Sequence, residues 1–339
     1  MEITLLGIDL AKTVFQLHGN DRHGRCVLRK KLRRPELYEF ITKLPPCIIG
    51  MEACSGAHYW GRRFEEAGHS VRLISPQFVK PFVKANKNDA NDAEAIAEAV
   101  ARPSMRFVPI KAPWQLEIQA IHRARSLLVC QRVALGNAIR GFLGEQGIAL
   151  PQGKAQLQKW FSEELMHNES LSESFKDMLC QLWEEYQSLQ QKEAVLLAKI
   201  EKIAKSDERI QRLQKIEGVG PLIATAAVAA IGDPKHFKNG RQFSAWLGLV
   251  PRQNSSGGKQ VLSGISKRGD RYLRSLMVHG GRSVINAAKR GNAHRSGWIL
   301  EKERTRGANK TAVAIANHNA RVIWALLAKG ESYREQKTA

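Results

Sequence analysis

Four carboxylates in the first hundred residues are spaced as a two-cation phosphoryl-transfer site would need them. Asp9 closes an apolar run in Gly7-Ile8-Asp9-Leu10-Ala11-Lys12, and Glu52 closes another in Gly50-Met51-Glu52-Ala53-Cys54-Ser55-Gly56. Asp89 and Asp92 lie three apart in Lys87-Asn88-Asp89-Ala90-Asn91-Asp92-Ala93, a spacing that puts both on one face of a helix. An ionised acid at the end of an apolar strand is unfavourable unless positive charge compensates it. Two divalent cations held by all four acids would do so, and such ions, about 4 Å apart, clamp the attacking and leaving oxygens of a phosphodiester. Oxygen-only ligands select Mg²⁺, with Mn²⁺ as the alternative. Simpler roles exist for two of the four: Asp89 as a helix cap and Asp92 as a first-turn acid facing the helix dipole. Asp9 and Glu52 have no comparable structural role.

A second chemistry lies far along the chain, in Asn254-Ser255-Ser256-Gly257-Gly258, flanked by Arg252 and Lys259. A serine attacking a phosphodiester needs freedom to move in line and cations to neutralise the developing charge. A flexible basic loop would supply both, although Ser-Ser-Gly-Gly is also ordinary turn composition. Lys267, Arg268, Arg271 and Arg274 follow at once, and a nonspecific basic helix would look the same. Upstream, Gly218-Val219-Gly220 precedes an Ala-rich helix in IEGVGPLIATAAVAAIGD, residues 216–233. This looks like a helix-hairpin-helix element, whose backbone N–H groups at Gly218 and Gly220 grip phosphate without reading sequence. A tight turn between packed helices would need the same glycines.

The elements that must position these groups follow from periodicity. Residues 3–10, 14–19 and 26–32 have strand character, completing a meander. Helix is expected over 35–44, strand over 47–52, helix over 55–68, strand over 71–75 and helix over 89–101. Three strands followed by alternating strands and helices predict a mixed sheet flanked by helices. Residues 114–149 are helical. Phe175, Leu182, Leu189, Leu196 and Ile203 recur every seven residues, with Leu179, Tyr186 and Ile200 between them and Glu193 as the one interruption. Such a seam suits a coiled coil linking domains or pairing protomers, and equally a bundle helix within one chain. From residue 209 onward, short helices joined by Gly-rich turns are expected, and 331–339 is a polar, flexible tail.

Charge narrows the partners. The 339 residues carry 53 Lys and Arg against 32 Asp and Glu, a net charge of +21. Residues 241–330 alone hold 17 basic residues against Asp270, Glu301 and Glu303. So concentrated a positive field points to a polyanion. No run of about 18 apolar residues exists to span a bilayer. The opening Met1-Glu2-Ile3-Thr4 is unlike a secretory signal. Cys26, Cys47, Cys54, Cys130 and Cys180 are odd in number and form no CxxC pair, which disfavours a disulfide framework or zinc site and fits a reducing cytoplasm.

The order of the acids, Asp9 after strand one, Glu52 after strand four and Asp-x-x-Asp on a later helix, resembles the RuvC-like branch of the ribonuclease-H fold. GIDLAK, GMEACSG and KNDANDAEAIA are similar to the N-terminal signature of DEDD-type transposases of the insertion sequence 110 family. Residues from about 210 to 330 resemble the C-terminal domain of the same family. The resemblance implies a RuvC-like metal-binding domain over 1–150 and a mainly α C-terminal transposase domain over 209–330; the helical coiled-coil connector over 151–208 lies outside it and has a generic pattern. It also implies that the serine directly before a glycine in PxxxxSG is the nucleophile, which here is Ser256, with the adjacent Ser255 as the alternative, and that the basic segment of Lys267, Arg268, Arg271 and Arg274 contacts the nucleic-acid backbone. Implied partners are donor and target DNA, a noncoding bridge RNA that selects them by base pairing, and further copies of the chain in a dimer or tetramer. Two other readings stay open: a metal-dependent nuclease using water, and a non-catalytic nucleic-acid-binding protein.

Overall fold

Within residues 5–10, Leu6 and Ile8 are buried on one side, while Leu5, Gly7 and Asp9 share the other. That alternation makes the segment a central strand with two covered faces. The computed structural model describes residues 2–83, 89–257, 259–293 and 296–333; the side chains of Asp89 and Ser256, and residues 334–339 of the expected tail, lie outside that description. The chain divides into two compact units, Met1–Ala112 and Pro113–Ala339.

In the first unit, β1 (Leu5–Leu10), β2 (Val14–Asn20) and β3 (Cys26–Arg33) form the expected antiparallel meander. There follow α1 (Arg34–Thr42), β4 (Ile48–Glu52), α2 (Ala57–Glu66), β5 (Ser70–Ile74), α3 (Pro76–Val79), α4 (Asp89–Val100) and β6 (Phe107–Val108). The sheet order is β3-β2-β1-β4-β5-β6. β4 lies parallel to both β1 and β5, and β6 closes the far edge antiparallel. One face buries Leu6, Ile8, Phe15, Leu17, Ile49, Met51 and Leu73 with Leu37 and Ile41 of α1 and Trp60 and Phe64 of α2. The other packs Leu5, Ile48 and Ile74 against Ile96, Ala99 and Val100 of α4.

Two missing side chains let α4 come this close. A Cβ on Gly7 would collide with the Ala93 carbonyl oxygen and sit 2.7 Å from the Ala97 nitrogen. One on Gly50 would run into Val100 and lie 3.3 Å from Ile96 Cγ2. Contacts advance from Gly7–Ala93 to Leu5 and Val100, so α4 runs antiparallel to β1.

The second unit is mostly helical. It comprises α5 (Pro113–Glu145), α6 (Lys154–Glu163), α7 (Glu173–Ser206), α8 (Glu208–Leu213), α9 (Pro221–Ile231) and α10 (Gly240–Trp246). A hairpin of β7 (Pro251–Ser256) and β8 (Lys259–Ile265) follows, then α11 (Arg271–Lys289), α12 (Ser296–Arg306) and α13 (Ala308–Lys329). Residues 113–145 form one 33-residue helix that packs on α7. The heptad seam of α7 is used inside the chain: Leu179, Tyr186 and Ile200 are buried, and Gly136 of α5 lies under the Tyr186 ring. Its interruption is an ion-pair cluster. Glu193 receives Arg125 Nη2 at 3.0 Å and Arg132 Nε at 2.9 Å, both from α5. Beyond residue 209 the expectation of short helices gives way to α11 and α13, of 19 and 22 residues, whose approach needs Gly281 against the Ala312 backbone. The almost wholly buried α9 is the centre of this core.

Candidate active site and nucleic-acid surface

The first unit brings two of the four acids together through strand register alone. Ile8 of β1 pairs with Met51 of β4 in parallel. The next residues, Asp9 and Glu52, therefore stand side by side on strands about 4.8 Å apart. They point to the face that Gly7 and Gly50 present to α4, and both are half-buried. Strand order changes direction between β1 and β4, and the carboxyl ends of strands at such a switch point are where open α/β sheets bind ligands. Cys54 reports the same clustering: partial burial pushes its thiol up, and the charges of Glu52 and then Asp9 push it the same way.

Asp92 belongs to this end of the sheet by helical register. Ile96 and Val100 face Gly50, and Asp92 lies one turn before Ile96 on the same stripe. Because α4 is antiparallel to β1, that turn lies toward the carboxyl ends of the strands. Asp89 opens the helix, and its side chain is outside the described residues. Among the described residues, no three His, Cys, Asp or Glu side chains converge closely enough to hold a metal ion. The described carboxylates thus supply an adjacent pair with a third acid above it.

In the second unit the expected flexible loop is instead a β-hairpin. Ser255 pairs with Gln260 and Ser256 with Lys259, so the chain turns at Gly257, directly after Ser256. Gly257 has the left-handed φ of 57° that such a turn demands. The Ser255 hydroxyl accepts a hydrogen bond from Gln253 at 2.8 Å; the Ser256 side chain is outside the described residues. Arg252, Lys259, Lys267, Arg268 and Arg271 are exposed and form no ion pair among the described residues. Arg274 departs from this group. It is 9% exposed, and its Nη1 donates to the carbonyls of Leu247 at 2.9 Å and Arg268 at 3.0 Å. Buried donors are satisfied by protein carbonyls here, so Arg274 fixes the base of the hairpin instead of presenting charge to solvent. Gly218 likewise has a packing role: its φ is 78°, and a Cβ would lie 2.7 Å from the Gly280 carbonyl oxygen of α11. Gly220 caps α9 with open space around it and no side-chain cap.

Comparison with known proteins decides the family. A model described as "Transposase IS116/IS110/IS902 family" matches residues 210–295, and a second transposase model, DEDD_Tnp_IS110, matches residues 6–146. The chain is 50% identical to a probable family 20 transposase of Pseudomonas aeruginosa, over 98% of this chain and 99% of that one. It is 43% identical to the transposase for insertion sequence element IS1111A of Coxiella burnetii, over 98% and 92%. With the IS1328 transposase of Yersinia enterocolitica it shares 40% over 97% and 98%. The chain belongs to the IS116/IS110/IS902 transposase family. It is accordingly a DNA-transposing enzyme, and among its described residues no helix is long and apolar enough to cross a membrane.

Two polar networks that support the transposase's second unit escaped the sequence reading. One is the Arg125–Glu193–Arg132 cluster, signalled by two arginines seven apart on α5 facing the one acid in the α7 seam. The other is a hydrogen-bond chain across α5, α9 and α11. Thr225 donates to the Pro221 carbonyl at 2.6 Å, so its oxygen is left to accept from His122 Nε2 at 2.9 Å. His122 Nδ1 then accepts from the Tyr272 hydroxyl at 2.9 Å. This ties the start of α9, beside Gly220, to the start of α11, beside Arg271. A lone histidine in a helix carries no sequence signal for such a role.

Burial, with the Arg125 charge second, depresses His122 to about 4 from the usual 6.5. Between those values the unfolded chain binds a proton that the folded chain refuses. Stability is therefore full above pH 6.5 and falls as pH drops toward 4, by about 3 kcal/mol at roughly 1.4 kcal/mol per pH unit. His122→Gln is expected to flatten most of this slope in urea unfolding of the second unit followed across that range. A slope unchanged in the variant would assign it elsewhere. His18 in the first unit is lowered by burial too, so some residual slope is expected.

Proposed function

We propose that this transposase cuts and rejoins DNA by metal-assisted attack of Ser256 on a phosphodiester, with donor and target selected by a noncoding bridge RNA. The supporting observation is the pairing of Asp9 and Glu52 at the carboxyl ends of adjacent parallel strands, beneath the first turn of α4 that carries Asp92. This order of acids on a mixed sheet supports a RuvC-like ribonuclease-H fold. The donor set is all carboxylate oxygen, which fits a hard divalent cation such as Mg²⁺. Asp9, Glu52, Asp89 and Asp92 would hold two such ions. When bound, they would supply charge neutralisation at the scissile phosphate.

The chain's own residues account for the rest. Ser256 sits where β7 enters its turn, with Lys259 opposite in register. Its oxygen forms the bond to phosphorus as the bond to a deoxyribose oxygen breaks, and the hydroxyl proton ends on the departing oxygen. The phosphoserine link keeps the bond energy, so a deoxyribose hydroxyl can reverse the step and reseal a strand. Arg252, Lys259, Lys267, Arg268 and Arg271 hold the backbone, while the backbone N–H groups at Gly218 and Gly220 would face a further phosphate, as in a helix-hairpin-helix element. The bridge RNA and a dimer or tetramer rest on the family resemblance and on the +21 charge.

The test incubates the full chain with element-derived RNA, substrate DNA and Mg²⁺, then separates products under denaturing conditions. A covalent protein–DNA adduct is expected, absent in EDTA and in Ser256→Ala and retained in Ser255→Ala. Cleavage by Ser256→Ala without adduct would replace this reading with a nuclease that uses water.

A further inference from the structure

Away from the hairpin and the acids, the second unit holds a cavity of about 460 Å³ where the start of α10 meets the last turns of α13. Its size falls within the range of roughly 300–1,000 Å³ typical of small-ligand sites. Gly240, Arg241, His318, Arg321 and Trp324 line it. The two elements touch because Gly240 has no side chain: a Cβ there would sit 2.9 Å from both the Arg321 Cα and its carbonyl oxygen. That approach brings two exposed guanidinium groups, eighty positions apart in sequence, to one opening. Neither α10 nor α13 contains an acidic residue, and neither arginine has an ion-pair partner among the described residues. Trp324 is half-buried, and its ring is pinned by an indole N–H donated to the Pro234 carbonyl at 3.0 Å. Lys235 and Lys238, on the turn leading into α10, add exposed positive charge beside the opening.

Two like charges held together without a counter-charge are unfavourable unless an anion joins them, and paired guanidinium groups suit a phosphate. An ordered aromatic beside that position suits a stacked base. We infer that this cavity is a second polynucleotide site, holding one nucleotide of a single strand with its phosphate between Arg241 and Arg321 and its base against Trp324. The inference rests on the reading that the chain handles polynucleotides, and it adds a grip separate from the hairpin surface.

Fluorescence anisotropy of the full chain with labelled oligo-dT and oligo-U, in EDTA across a salt series, tests it. Each single-strand phosphate contact contributes about 0.7 to the salt slope. Arg241→Gln with Arg321→Gln should therefore reduce the slope by about 1.4 and weaken binding about tenfold or more. Lys199→Gln with Lys202→Gln on α7 removes the same charge elsewhere and should leave the slope nearly unchanged. Trp324→Leu should weaken binding about tenfold, with Trp324→Phe restoring most of it. The strand type that loses more identifies whether DNA or RNA occupies the site. Equal loss in the two double variants, or none in either, overturns the site while leaving the DNA-cleaving reading intact. Failure of the unmodified chain to bind either strand overturns both.

Discussion

Asp9→Asn is expected to lower DNA strand cleavage at least about a thousandfold while leaving the protein folded and able to bind DNA. Removing one preorganised electrostatic contact to a reacting oxygen typically costs 10²- to about 10³-fold in rate, and a charge that holds a cation stands at the upper end. The substitution keeps the shape of a half-buried side chain and removes only its charge. It sits one residue beyond the β1–β4 pairing, and it pairs with Gln16 of β2 through the backbone alone, so neither ladder needs the charge. Glu52→Gln should behave alike. Because both acids would serve one cation, the double variant should be little worse than either single one, as expected for groups that act as a unit. Quantified cleavage of end-labelled DNA, with binding measured in parallel, checks this. Independent losses that multiply in the double variant would mean the two carboxylates do not share a task.

Glu193→Ala carries the largest expected effect on stability, a loss of about 3–5 kcal/mol from the second unit. Its carboxylate is 12% exposed and faces Arg132 at 8% and Arg125 at 17%. Without it, two guanidinium groups remain between α5 and α7, partly compensated by the Tyr186 hydroxyl at 3.3 Å from Arg132 and by Tyr272 beside Arg125. Breaking one side of a buried pair costs far more than replacing the whole cluster by apolar groups of similar volume. Glu193→Leu combined with Arg125→Met and Arg132→Met should recover most of the loss. Urea unfolding monitored by helix content measures both. A triple variant as weak as Glu193→Ala would assign the cluster a role other than charge compensation.

The contrast between seam and cluster shows what the sequence could convey. β1, β4, α4 and α7 were legible because each has two covered faces or one covered stripe, which leaves a hydrophobic period. Asp9 and Glu52 stood out for the same reason, as charges ending apolar strands. The hairpin β7–β8 was illegible as strand because its described side chains are exposed, apart from the half-covered Ile265. A strand without a buried face has no alternation to betray it, and Asn, Ser and Gly dominate its tip. Arg274 looked like a surface cation because sequence cannot show that two backbone carbonyls wait for it. Glu193 looked like a flaw in a heptad because its partners lie about 60 residues earlier, on another helix. The register that sets Asp9 beside Glu52 was also beyond reach, since strand pairing depends on contacts distant along the chain.

Gly7 and Gly50 bear on how this protein tolerates genetic change. Both lie two positions before an acid on the same strand face, and both are contacted by the helix that carries Asp92. Adding one methyl group at either would lift that helix from the sheet and shift the third acid without altering any polar group. A random library selected for lost transposition should therefore return substitutions at these two glycines beside those at the carboxylates, and suppressors of the Gly50 class should shorten Val100.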